Sequence, residues 1–184
     1  MTASSPFEKA KEKVWIGSID QAGDPGGSIT ASLSVVAQYN PGTLEVKQSV
    51  PWKKPDAASQ GTGANAAPKA DKNYMVMEFT GAEGREISLE LLFDDFEPHE
   101  GPKIKDNIDS LETLARVRKP GSNADTDRRP HHCVVTWAKV LPRFQCVITA
   151  LSTKYTMFAS DGTPLRATVT ITLKEALRVD RKKA

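Results

Sequence analysis

The chain has little that would staple or anchor it. Two cysteines, Cys133 and Cys146, in 184 residues exclude a disulfide-framed scaffold. They fall in adjacent expected strands and are able to face one another, but small buried thiols are the expected state in a reducing compartment. Long hydrophobic runs are missing as well. Leu91-Leu92-Phe93 is far short of the ~20 residues a spanning helix needs. The N-terminus has no apolar stretch behind Glu8 and Lys9, so a secretory signal is not expected and synthesis in the cytoplasm is. Aromatics are 7% of the chain, and there are only three histidines. No Gly-rich phosphate loop and no nucleophile paired with a base can be read, so no catalytic, cofactor or metal site is expected.

What remains is an ordinary soluble composition, with 39% hydrophobic and 26% charged residues, enough for one domain spanning 1–184 with its own core. The net charge is only +2, but it is unevenly spread. From Glu78 to Glu112 there are 11 acidic and 3 basic residues, a net of −8; elsewhere 22 basic face 12 acidic, a net of +10. Basic residues gather at both ends, in Lys9 to Lys13 and in a tail over 176–184. Such ends can bind nucleic acid but are more often solvated. A subunit with an acidic and a basic zone can also stack head to tail.

Periodicity points to β-structure. The run Arg166 to Glu175 alternates without a slip, Ala167, Val169, Ile171 and Leu173 against Arg166, Thr168, Thr170, Thr172 and Lys174, the pattern of a half-buried strand. Further strands are expected at 13–19, 29–39, 43–49, 74–80, 86–94, 134–137 and 146–151, the last followed by Tyr155 to Phe158. Asn40-Pro41-Gly42 should fold 29–39 and 43–49 into a hairpin; Gly81 to Gly84 should do the same for 74–80 and 86–94. One helix is expected at 106–118, with Ile108, Leu111 and Ala115 on one stripe and Asp106 at its start. About eight strands and a single helix, without βαβ alternation, give a mainly β fold, a barrel or sandwich with a packed helix. Residues 51–73 break the periodicity. Rich in Ala, Gly, Pro, Ser and Lys, they read as a mobile insertion or as an arm that orders on a neighbour.

Chemistry-bearing residues are few. Consecutive strand positions face opposite ways, so of His131-His132-Cys133 only His131 and Cys133 could share an ion, and no second pair completes a site. The run Asp94-Asp95-Phe96-Glu97-Pro98-His99-Glu100 could serve acid/base work, but reads better as a charged contact loop. Trp15, Trp137 and most tyrosines lack the interleaved Lys and Arg of a base-stacking face. Trp52, in polar Gly-rich surroundings, suits an anchor in a partner's pocket. The residues expected at an assembly interface are Trp52, Lys53, Lys54, Asp94, Asp95, Glu97, Arg128 and Arg129.

In order and spacing these parts resemble the tube-like adaptor proteins of extracellular contractile injection systems, relatives of phage-tail tubes. The shared succession is Tyr39-Asn40-Pro41 with Leu44, the polar insertion, Ile87 to Asp94, the helix Ile108 to Val117, Pro130 to Trp137, Tyr155 to Phe158, Gly162 to Ala167 and Thr172 to Glu175. The resemblance implies a structural, non-enzymatic subunit of a hexameric ring between spike or baseplate hub and inner tube, with spike and inner tube proteins as partners and baseplate or sheath proteins as further ones. It implies assembly in the bacterial cytoplasm into a particle that can be released, and no membrane partner. Many such proteins carry a LysM module after this domain; these 184 residues do not show one, which leaves adaptor and tube protein proper both open. The alternatives are a nucleic-acid-binding barrel and a small hydrolase built on Asp94 to Glu100. The Thr-rich face of Arg166–Glu175 is expected to line the lumen of the ring.

Overall fold

The computed structural model describes residues 13–20, 33–54, 77–124 and 127–177. They fall into two compact units, one formed by the chain up to Val46 and from Glu86 onward, the other by Lys47–Arg85. In the first unit the antiparallel core of the sheet is built on β6 (Glu86–Asp94) and β9 (Pro164–Glu175). Their registers match residue for residue, from Glu86 opposite Lys174 to Asp94 opposite Arg166. The alternation read in both sequences therefore lands on one face: Ile87, Leu89, Leu91 and Phe93 are buried against Leu173, Ile171, Val169 and Ala167. Each large side chain so buried contributes roughly 1.5–3 kcal/mol. Here the expected pattern and the structure agree.

The full sheet has seven strands. With β1 (Trp15–Ser18), β2 (Ser34–Val36), β3 (Leu44–Lys47), β7 (Cys133–Trp137) and β8 (Leu141–Phe158), its order is β2-β1-β7-β8-β9-β6-β3. Neither expected hairpin forms. Strand β2 pairs antiparallel with β1, and β3 lies at the opposite edge beside β6. The Asn40-Pro41 corner is used instead to cross between edges: Asn40 Oδ1 accepts the Val14 N–H at 3.1 Å. Gln38 then bridges to the end of β6, donating from Nε2 to the Asp94 carbonyl and accepting the Asp94 N–H at Oε1, both at 2.7 Å. A side-chain amide thus draws the β2 edge toward the far end of a curled sheet. The second hairpin does not form because both edges of β6 are taken, one by β9 and the other by β3. In the second unit β4 (Trp52–Lys53) instead pairs with β5 (Glu78–Phe79), Trp52 opposite Phe79. Of the expected strands, residues 29–32 and 74–76, like 55–73 of the insertion and the tail from 178, lie outside the described residues.

Strand β8 is one 18-residue element that takes in both 146–151 and 155–158. Phe144, Cys146 and Ile148 face the core, the register slips between Ile148 and Ala150, and Leu151 and Thr153 then take the inward face. A bulge at Thr149 thus resets the parity, which is why apolar residues stand on both sequence parities from Phe144 to Leu151. The helix α1 (Ile104–Ala115) packs on β2, β8 and β9 through Ile104, Ile108, Leu111 and Leu114. It starts two residues earlier than expected because a distant residue caps it: Asp95 Oδ2 accepts the Ile104 N–H at 3.0 Å. Asp106 reaches back to the Lys103 N–H at 3.3 Å. Both carboxylates sit at the positive end of the helix dipole. The helix stops at Ala115, short of Arg118, because the returning loop takes over the backbone: His131 N–H bonds the Leu114 carbonyl and Arg118 N–H the Arg129 carbonyl.

Candidate functional site

The densest buried polar cluster sits where β1 ends and β7 begins. Asp20, 5% exposed, accepts a two-pronged bond from Arg129, at 2.6 and 3.0 Å, and the His132 N–H at 2.6 Å. Arg118 donates to the Asp20 carbonyl at 2.9 Å. Burial opposes charge on Asp20, but the Arg129 bond and the His132 N–H outweigh it and hold the carboxyl below its ordinary range. Ser18 Oγ lies 2.7 Å from His131 Nδ1 and accepts the Asp20 N–H at 3.1 Å. Burial, then Arg118, push His131 toward its neutral form.

A serine, a histidine and an aspartate this close invite a nucleophile reading, and the geometry argues against it. Ser18 is wholly buried, out of reach of a substrate, and the Asp20 carboxylate binds Arg129 and His132 rather than orienting His131. The cluster ties together β1, the loop after α1 and the start of β7. The sequence alone does not point to this role for Asp20. Its partners lie 98 to 112 residues away, so no local signal marks them. Cys133 and Cys146 stand directly opposite one another, free and buried. Burial pushes the Cys133 thiol up to about 12 and raises that of Cys146 as well. Among the described residues no group of three or more His, Cys, Asp or Glu is arranged to hold a metal ion.

The residues expected at an interface divide by their surroundings. Asp94 is paired with Arg166 through Oδ2, 2.8 Å from Nε; the Phe96 N–H and Arg166 lower its carboxyl. Asp95 caps α1, and Arg129 holds Asp20. These three have intramolecular partners. Trp52, Lys53, Lys54, Glu97 and Arg128 are exposed. Trp15 is buried with Ile19 and Val134 on the outer side of β1 and β7, and Trp137 packs on the main core.

Two surfaces remain. β7 ends its pairing with β8 at Cys133 opposite Cys146. From Val147 to Phe158, twelve residues, β8 therefore has only β9 beside it, and its other edge is open among the described strands. An open edge of that length is a template for another strand. The outer face of β6, β8 and β9 carries a row of small hydroxyl groups among charged neighbours: Thr172 lies between Ser88 and Ala150, Thr170 between Glu90 and Ser152, and Thr168 beside Lys154. Over residues 11–184 the chain matches the family model described as contractile injection system tube protein.

The chain belongs to the contractile injection system tube proteins. As one of them it is part of a contractile injection particle and assembles with other tube or particle components. No curated protein matches the chain. In this tube protein, among the described residues, no helix is long and apolar enough to cross a membrane.

Proposed function

We propose that the protein forms a closed hexameric ring that joins the spike and baseplate hub to the inner tube, or extends that tube, and that its work is structural rather than catalytic. The observation that carries this reading is the open β8 edge, Val147–Phe158, in a chain of a tube-forming family. A free edge twelve residues long is avoided in proteins that work alone, and a cyclic array removes it by pairing each edge with the next subunit. The row Thr168, Thr170 and Thr172, with Ser88 and Ser152 beside it, is assigned to the lumen. Short hydroxyl groups offer a wettable wall, bordered by Glu90 beside Thr170 and Lys154 beside Thr168, which suits passage of cargo. Assembly takes place in the bacterial cytoplasm, before any release of the particle.

Hydrogen exchange tests the edge directly. In the isolated chain the amides of Val147–Phe158 that point away from β9 should exchange quickly, and in the assembled particle they should be protected. Equal exchange in both states would remove the support for the ring.

A further inference from the structure

We infer that the β4–β5 ribbon of one copy seats on the Phe96 loop of a second copy, an inference that rests on the ring reading above. The ribbon carries an apolar face that none of the described residues covers: Trp52 and Phe79 stand opposite one another, with ring centroids 5.4 Å apart, yet are 54% and 49% exposed. Val50 and Met77, each two residues along from one of them, are exposed too. A two-stranded ribbon is marginal on its own, and a contiguous exposed apolar patch marks a contact site. The flank is basic, since residues 47–54 hold Lys47, Lys53 and Lys54 and no acid.

The Phe96 loop is the complement. Phe96 is 62% exposed although its backbone is pinned: its N–H bonds Asp94 Oδ1 at 2.9 Å, and the Asp95 N–H bonds the Leu165 carbonyl at 2.8 Å. The aromatic ring is therefore presented from a fixed base. Between Arg85 and Lys103 there are six acidic residues and no Lys or Arg, and of these Glu90, Glu97 and Glu100 are exposed. An apolar patch with a basic flank and an apolar knob with an acidic flank, on different parts of one chain, describe a head-to-tail contact. Where its rotation closes, such a contact repeats into a ring, and the opposite charges set its direction. The occupant of the ribbon is accordingly a second copy of this chain.

The test uses the full chain carrying Lys54→Cys and Glu97→Cys, mildly oxidised and run on a non-reducing gel. Cys133 and Cys146, buried with raised thiols, stay silent. A ladder of covalently linked copies is expected, with neither single variant giving more than a dimer. In parallel, Trp52→Ala should lower the ring fraction by roughly tenfold or more, as loss of an aromatic anchor does, without shifting the melting temperature. Lys54→Glu should weaken the ring, and adding Glu97→Lys should restore it. A link formed only within one chain, or wild-type rings without a ladder, overturns the seating and leaves the ring reading standing. Absence of any ring from the wild-type chain overturns both.

Discussion

Asp20 shows how one side chain sets the acid behaviour of this fold. Its carboxylate lies nearly out of water and is answered by Arg129 and the His132 N–H. Asp20→Asn keeps the shape but removes the charge that Arg129 is placed to meet. Since Arg129 keeps some access to solvent, the expected loss is about 2–4 kcal/mol, toward the lower end for a broken buried pair, read by urea unfolding at pH 7. The pH dependence has two parts. His131 is held neutral, so below its ordinary value of 6.5 the unfolded chain binds more protons than the folded one and stability falls with pH. Asp20 is held ionised, so its contribution is present above 3.8 and lost as pH falls through the lowered value. The melting temperature should thus drop from pH 7 to pH 5, and His131→Asn, which keeps a polar partner for Ser18 but does not titrate, should flatten that slope. An unchanged slope would refute the assignment. Gly17 gives a second residue-scale test. A Cβ there would run into the Trp15 ring, itself buried with Ile19 and Val134, so Gly17→Ala should cost about 1–3 kcal/mol by overpacking.

Among the elements, α1 and β8 depend most on distant residues. Asp95→Ala removes the acceptor of the Ile104 N–H and should cost about 1 kcal/mol, the usual worth of a helix cap; Asp95→Asn should recover most of it in the same thermal melt. Deleting Thr149 takes out the extra residue and leaves Ile148, Ala150 and Leu151 in regular alternation, so Leu151 and Thr153 keep the inward face; inserting a residue after Ala150 should instead turn them outward and lower the melting temperature, because a one-residue slip moves a whole strand to its other face. The pattern of single elements was legible in the sequence for this same reason. Leu173, Ile171 and Val169 are buried on one face only, so the alternation of β9 could be read directly. Which strands pair could not be read. Asn40-Pro41 and Gly81 carry turn chemistry, yet the chain uses the first to cross between sheet edges and gives β6 to β9 instead of to its sequence neighbour. The Asp20 cluster was illegible for a related reason: a turn residue and an arginine more than a hundred positions apart share no pattern until the fold joins them.

At the scale of the molecule, the account rests on what the subunit leaves unfinished. The β8 edge from Val147 to Phe158, the exposed Trp52–Phe79 ribbon and the presented Phe96 are surfaces that a neighbour would complete. Membership of the tube-protein family supplies the neighbours; the hydroxylic face of β9 supplies a wall they could share. Cryo-electron microscopy of the intact particle tests the central claim most directly. The account predicts six copies of this chain in one ring on the tube axis, with the β8 edge of each paired to the next subunit. A particle with no such ring, or a ring in which Val147–Phe158 faces open solvent, would contradict it.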